Sequence, residues 1–120
     1  MTHVFTLNEA QDLLPRLKAI TRPVFELASS FNQELLHVEK LGEQARADEL
    51  RERLQALVTV WAETVCELGP EVKGLWLVDF DSGDGYWCWS YPEEDVGHWH
   101  GYDGGFAARV GAERRPESRG

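Results

Sequence analysis

Residues 6–31 read TLNEAQDLLPRLKAITRPVFELASSF, and one apolar stripe runs along their whole length. The apolar residues recur at alternating spacings of three and four, which places their side chains on one face of an α-helix. The stretch therefore predicts a long helix whose apolar seam packs against a second helix. The seam consists of Ala10, Leu13, Leu17, Ile20, Val24, Leu27 and Phe31.

The ends of this helix are marked by residues that commonly start and stop helices. Thr6-Leu7-Asn8-Glu9 fits a capping box, in which the threonine hydroxyl and the glutamate carboxylate accept hydrogen bonds from free amide groups. Gly42 can adopt the left-handed conformation with which many helices end. Pro15 and Pro23 each remove an amide donor, so we expect kinks inside the helix.

A second helix is predicted from about Gln44, and Gly69-Pro70 ends it. The short link through Gly42 makes the two helices antiparallel neighbours, packed like a two-stranded coiled coil. At about 1.5 Å per residue, such helices are longer than a small sheet can cover, so the pattern predicts a homodimer through the hairpin. The second apolar face consists of Ala47, Leu50, Leu54, Leu57, Trp61, Val65 and Leu68.

After Pro70 the pattern changes to short apolar and aromatic runs separated by glycine-rich loops. Leu75–Phe80 and Tyr86–Tyr91 read as the two strands of a hairpin in which Phe80 pairs with Tyr86. A third strand is plausible at Val96–His100. Residues from Val110 onward lack apolar periodicity and read as a mobile tail.

These elements predict an α+β fold in a single domain over residues 1–110. A long antiparallel, coiled-coil-like helical hairpin over about 7–68 is followed by a small antiparallel β unit of two or three strands over about 74–109. A flexible tail is expected over 111–120. A chain of 120 residues has room for one core, which excludes a second domain.

Composition and charge narrow the classes of function. The formal net charge of −9 disfavours binding to nucleic-acid phosphates and favours cations and basic partners. No apolar run reaches the roughly 20 residues of a membrane span, and the first residues lack a signal-peptide pattern. We therefore expect a cytoplasmic protein with no membrane or nucleic-acid partner. Cys66 and Cys88 lack C-x-x-C spacing and are expected to be reduced thiols.

Candidate functional residues cluster between Trp76 and Phe106, a segment that holds nine of the thirteen aromatic residues and no lysine or arginine. His98-x-His100 on a strand would aim both imidazoles to one side, but two histidines do not complete a metal site. No cofactor is certain; a divalent transition metal is the candidate. The metal candidates are His100, Glu93, Asp103 and Cys88, and a polar ligand could be bound by Glu93, His100, Asp103 and Arg109.

Each of these residues also has a structural interpretation. The histidines could be buried and hydrogen-bonded, and Cys88 could be a small apolar strand residue rather than a nucleophile. Arg109 is expected to form a bidentate pair with Glu93 or Asp103. The acidic loop at residues 79–85 does not match an EF-hand, which needs oxygen ligands and a glycine at other positions.

One motif at the amino end is Phe5–Ala10 with Leu13-Leu14-Pro15, and a second group of residues lies between Asp79 and Arg109. Together they resemble the small bacterial family known as domain of unknown function 2203, over residues 4 to 110. The resemblance implies a helical hairpin followed by an aromatic β unit, with no established activity. Two residues depart from the family pattern. His98 stands where the pattern has an aromatic or other residue, and Pro92 stands where it has a glycine. Residues that match the carboxyl-terminal pattern are Asp79, Cys88, Trp89, Glu93, His100, Asp103, Gly105, Phe106 and Arg109.

Two functions from different classes follow from the sequence. The first is an oligomerisation or adaptor module, in which the hairpin forms a homodimer and the aromatic unit can dock a protein partner. The alternative is a protein that binds a metal ion or a small polar ligand. Hydrolysis is the candidate reaction for such a site. Whether the protein is an enzyme is left open. Because His98 departs from the family pattern, His100 is predicted to be the buried and decisive histidine.

Overall fold

The computed structural model describes residues 3–116 and contains two long helices followed by an antiparallel sheet. Helix α1 spans Leu7–Lys40 and helix α2 spans Gln44–Glu67. The capping box is present: the Glu9 amide donates to the Thr6 hydroxyl over 3.1 Å, and the Thr6 amide donates to the Glu9 carboxylate over 2.8 Å. Both prolines lie inside α1, which continues through them. The predicted helical hairpin is confirmed.

The seam between the helices is mostly the one that the sequence predicts, with one exchange. Leu27 is 46% exposed, whereas the polar Thr21 is fully buried in the seam. Thr21 is tolerated because its hydroxyl accepts a hydrogen bond from the indole nitrogen of Trp61 over 2.9 Å. The hairpin makes the molecule 59 Å long. Within residues 3–116, neither helix is long and apolar enough to cross a bilayer.

The sheet has five strands in the order β1-β2-β3-β4-β5, each antiparallel to its neighbour. The predicted count of two or three strands was too low. The outermost strands are short, and their sequences carry no clear apolar alternation, so only pairing with the neighbouring strands reveals them. The strands are β1 Glu71–Gly74, β2 Leu77–Asp81, β3 Tyr86–Ser90, β4 His98–His100 and β5 Val110–Gly111.

Residues 110–115, which the sequence assigns to a mobile tail, make ordered contacts with the rest of the molecule. Val110 and Gly111 pair with β4, and a 3-10 turn follows at Ala112–Arg114. The guanidinium of Arg115 binds the Asp84 carboxylate over 2.8 Å. These long-range contacts order a segment that has no periodicity of its own. The remainder of the expected tail, residues 117–120, lies outside the described part of the chain.

The register between β2 and β3 differs by one residue from the prediction. Phe80 pairs with Trp87, and Asp81 pairs with Tyr86. Both strands therefore extend one residue further towards the turn. The turn itself is closed by the Ser82 amide, which donates to the Gly85 carbonyl over 2.8 Å. A slip of one residue moves side chains to the opposite face of a sheet. The inner face, which packs on the helices, carries Val78, Phe80, Trp87, Trp89 and Trp99.

Candidate functional site

Chemically active side chains form a row across the outer face of the sheet, away from the helices. Asp79 on β2 pairs with Cys88 on β3, and Cys88 pairs with His98 on β4. Residues directly opposite each other share a face, with Cβ atoms roughly 5 Å apart. His100 lies two positions beyond His98 and therefore points to the same face. The register alone thus gathers four donor side chains that the sequence separates by up to 21 positions.

His100 is the buried histidine of this row, 3% exposed, as the sequence predicted. Its Nε2 lies 2.9 Å from Oδ2 of Asp79, and its Nδ1 lies 2.8 Å from the carbonyl oxygen of Gly101. A carbonyl can only accept, so Nδ1 carries a proton and donates it. Two bare acceptors would repel at 2.9 Å; hence a second proton lies between Nε2 and Oδ2.

Asp79 is almost completely buried, at 1% exposure. Burial raises the pKa of its carboxyl group, an effect that the neighbouring Cys88 and His100 only partly oppose. Oδ2 faces His100, but the second oxygen, Oδ1, receives no hydrogen bond of standard geometry from the described residues. The adjacent Cys88 thiol is a weak donor. A buried carboxylate oxygen without such a partner is costly, and a bound cation would satisfy it.

Cys88 is held as a neutral thiol by its surroundings. Burial raises its pKa to about 12, and the negative charge of Asp79 acts in the same direction. The Arg109 guanidinium, with Nη1 3.9 Å from Sγ, opposes this shift without cancelling it. Nucleophilic catalysis needs a thiolate near neutral pH, so this site does not favour it. A metal ion, by contrast, could displace the thiol proton directly.

Asp79, Cys88 and His100 together form a group with the composition of a metal site. One ligand atom from each lies within 4.8 Å of the other two, and this is the one such group of three among residues 3–116. The group offers a carboxylate oxygen, a thiol sulfur and an imidazole nitrogen. Zinc and related divalent transition metals accept all three donor types. The arrangement can therefore bind a cation in a water-poor setting.

Glu93 and Arg109 form a second feature beside this group. The guanidinium donates from Nη1 and Nη2 to the two carboxylate oxygens over 3.1 and 2.7 Å, which is the expected bidentate pair. Oε1 of Glu93 also accepts from the Ser90 amide over 2.7 Å. Burial raises the pKa of Glu93, but these hydrogen bonds outweigh it and leave the pKa lowered. Arg109 also lies over the Phe106 ring, 4.3 Å from its centroid.

The sequence-predicted site residues are only partly brought together. His100 and Cys88 lie in the donor group, and Glu93 with Arg109 forms the adjacent pair. Asp103 is exposed and makes no ion pair with any residue in the described range 3–116. The ring of His98 is 38% exposed, and its Nδ1, 3.6 Å from Glu93 Oε2, has no hydrogen-bond partner in this range.

Asp79 is the site residue that sequence reasoning underrated. The sequence places Asp79 in an acidic loop and in the family pattern, but it does not indicate that the carboxylate lies beside His100. A signal was nevertheless present, because Asp79 interrupts the apolar run Leu77-Val78-Asp79-Phe80. A carboxylate at the centre of a strand is buried only with a partner. The identity of that partner depends on the register, which the sequence did not give correctly.

Comparison with known proteins identifies the family. The family described as "Uncharacterized conserved protein (DUF2203)" matches residues 3–111, and the chain belongs to this family. No curated protein matches the chain, and no solved structure does.

Proposed function

Taking this family membership as the premise, we propose from the geometry of the outer face that the protein binds one divalent transition-metal ion. The ligands are Asp79, Cys88 and His100, and Zn²⁺ fits them best. The observation that carries the proposal is the buried Oδ1 of Asp79, which receives no hydrogen bond of standard geometry from residues 3–116, while a thiol and an imidazole lie beside it. A dication would give this oxygen a partner and neutralise the aspartate and a thiolate.

The protons of the site support the same proposal. One proton lies between His100 and Asp79, and another is held on Cys88, whose pKa is raised to about 12. Both occupy positions from which a metal ion can displace them. Metal ligands bind as carboxylate, thiolate and neutral imidazole, so binding releases protons and strengthens as pH rises. Nδ1 of His100 stays hydrogen-bonded to the Gly101 carbonyl, the orientation typical of a metal-bound histidine.

The distances require only a small adjustment. In a tetrahedral zinc site with bonds of about 2.0–2.3 Å, the ligand atoms lie roughly 3.5 Å apart. The three atoms here already lie within 4.8 Å of one another. Side-chain movements of about 1 Å would bring the three atoms to this separation. The ion would then tie β2, β3 and β4 together, because each strand supplies one ligand.

Cobalt substitution tests the proposal, because Co²⁺ bound to a thiolate gives a charge-transfer absorption band. We expect tag-free protein, stripped with chelator, to bind one equivalent of Co²⁺ with this band, and Zn²⁺ to abolish it by displacement. Cys88→Ser should remove the band. Cys66→Ser is the matched control, since Cys66 is exposed and lies on helix α2 rather than on the sheet; it should retain the band.

Two results would contradict the metal site. Wild-type protein that shows neither the band nor a rise in melting temperature with excess Zn²⁺ does not bind metal at this group. A band that persists in Cys88→Ser would locate the ion elsewhere. Asp79→Asn, which preserves the shape of the side chain, separates loss of a ligand from loss of folding.

A second candidate function is that of an oligomerisation or adaptor module built on the hairpin. It is favoured by the length of the helices: the sheet covers one end of the hairpin, whereas Leu35, Val38, Ala47 and Leu50 form a separate small core at the other. The mass in solution tests this function. A homodimer of twice 13.7 kDa is expected, and a monomer at all accessible concentrations would refute self-association.

A further inference from the structure

We propose that a second copy of this chain docks in a groove between the hairpin and the turn that joins β1 to β2. This inference rests on the oligomerisation function proposed above and names its surface. The groove has a volume of about 470 Å³ and lies at the end of the sheet, where the helices become uncovered. Its lining consists of Ala28, Ser29, Asn32, Leu54, Gln55, Val58, Thr59, Leu75 and Trp76.

The charge of the groove is the first argument for this occupant. All nine lining residues are uncharged, although charged residues make up 28% of the chain and its net charge is −9. Two copies with this net charge repel each other, so close approach is favoured at a surface that carries no charged side chains. In a two-fold interface, each surface meets its own copy, and any charge near the axis would face itself. The groove meets this requirement.

The shape of the groove is the second argument. Leu75 lines the groove yet is 61% exposed, and the α1 side of the groove contains the small residues Ala28 and Ser29. A two-fold axis beside the groove would let Leu75 of each copy enter the groove of the other. A surface that carries both the projecting side chain and the recess is complementary to itself. Burying Leu75 in this way removes a large apolar side chain from water.

The β1–β2 turn is held firmly enough to present Leu75. Trp76, the next residue, has a positive φ of 64° and lines the groove. Its ring packs against Trp61 and Phe25, with centroids 5.0 and 5.4 Å away. Because these contacts hold the turn against both helices, docking would lose little conformational freedom.

The groove also continues the apolar core outward. Val58 and Trp76 pack against the main core, and Leu54 packs against the small core at the far end of the hairpin. All three side chains line the groove between these cores. An apolar side chain from a second copy would therefore bridge two parts of one core. This continuity is typical of homodimer interfaces, which are more apolar than other protein surfaces.

Sedimentation analysis of wild-type protein, Leu75→Glu and Leu41→Glu tests the inference. Leu41→Glu is the matched control, since Leu41 is 60% exposed and lies at the opposite end of the hairpin. Both variants gain one negative charge at equally exposed positions. We expect wild-type and Leu41→Glu to form dimers, and Leu75→Glu to weaken the dimer at least about 100-fold, because two carboxylates would enter apolar grooves.

Each of the other outcomes contradicts the groove interface, the oligomerisation function, or both. If Leu75→Glu dimerises as well as wild type, the groove is not the interface, although the oligomerisation function stands. If wild type is monomeric at about 100 µM, both proposals fail, and the groove belongs to another occupant. Circular dichroism checks that the variants are folded. Gln55→Glu, an exposed change on the α2 wall, repeats the test should Leu75→Glu fail to fold.

Discussion

The central residues of the two faces of the sheet are buried to the same degree, but their chemistry differs. On the inner face, Phe80 and Trp89 are fully buried against the helices. On the outer face, Asp79, Cys88 and His100 are buried as completely, yet their atoms are polar. Burial stabilises apolar side chains, whereas it costs free energy for ionisable groups unless each finds a partner. The difference supports a stabilising role for the inner face and the metal-binding role that we propose for the outer face.

The largest loss of stability is expected from a substitution on the inner face of the sheet. Trp89→Ala removes a fully buried ring and the hydrogen bond from its indole nitrogen to the Glu93 carbonyl, 2.8 Å away. We expect a loss of about 3–5 kcal/mol in the free energy of unfolding, measured by urea denaturation. Val60→Ala, at an exposed position on α2, should change stability by no more than about 0.5 kcal/mol. Equal losses would refute the assigned register.

The next largest loss of stability is expected from a substitution on the outer face, measured in metal-free protein. His100→Ala leaves the buried Asp79 carboxyl group without its 2.9 Å partner, and we expect a loss of about 3 kcal/mol in chelator-treated protein. His98→Ala removes a half-exposed ring and should cost about 0.5 kcal/mol. Denaturant titration of both variants compares them directly. A larger loss for His98→Ala would reverse the roles assigned to the two histidines.

A smaller effect is expected at the rim of the outer face. Glu93→Ala deprives the Arg109 guanidinium of both carboxylate contacts and the Ser90 amide of its acceptor. We expect a loss of about 2 kcal/mol, since hydrogen bonds to charged groups contribute more than neutral ones. Asp103→Ala, at an exposed acid without an ion pair in residues 3–116, should change stability by less than about 0.5 kcal/mol. Thermal unfolding of both variants separates the two acids.

The smallest effect is a pH dependence of the Asp84–Arg115 pair. Burial raises the pKa of Asp84, but hydrogen bonds from Arg115 and Ser82 outweigh it and lower the pKa overall. A lowered folded-state pKa means that the pair stabilises the fold above the unfolded value of about 3.9 and loses this effect as pH falls through the folded value. The group is about a third exposed, so solvent screening limits its contribution to at most about 1 kcal/mol.

Substitution isolates this contribution. The stability difference between wild type and Arg115→Gln should be present at about pH 6 and should shrink as the pH falls below the unfolded value of about 3.9. Arg114→Gln provides the control, because Arg114 is exposed and forms no ion pair within the described chain. A difference that grows on acidification would have the wrong sign and would contradict the lowered pKa of Asp84.

The helical half of the molecule could be predicted almost completely from the sequence. Helix-forming contacts join residues three and four apart, so the capping box at Thr6 and the apolar seam contain nearly all the needed information. The exception is instructive. Leu27 was predicted inside and Thr21 was not, because the exchange depends on Trp61, forty residues away, whose indole needs an acceptor.

Less of the sheet could be predicted from the sequence, because its decisive contacts join residues that lie far apart in the chain. The runs around Phe80 and Trp87 predicted the central hairpin, but the one-residue register was decided by closure of the turn. The edge strands carry no pattern that could have revealed them. Of the candidate site, the sequence identified His100, Cys88, and the pair of Glu93 with Arg109.

The sequence by itself thus determined the hairpin, the aromatic strands and the residue types available for a site, because these follow from local spacing and side-chain chemistry. Only the tertiary structure decided that Asp79 and Cys88 share the outer face with His100. Side chains alternate between faces with a period of two, so the face of each residue depends on its cross-strand partner. That partner is set by turn closure and by packing of the inner aromatic residues on the helices, neither of which is local in sequence.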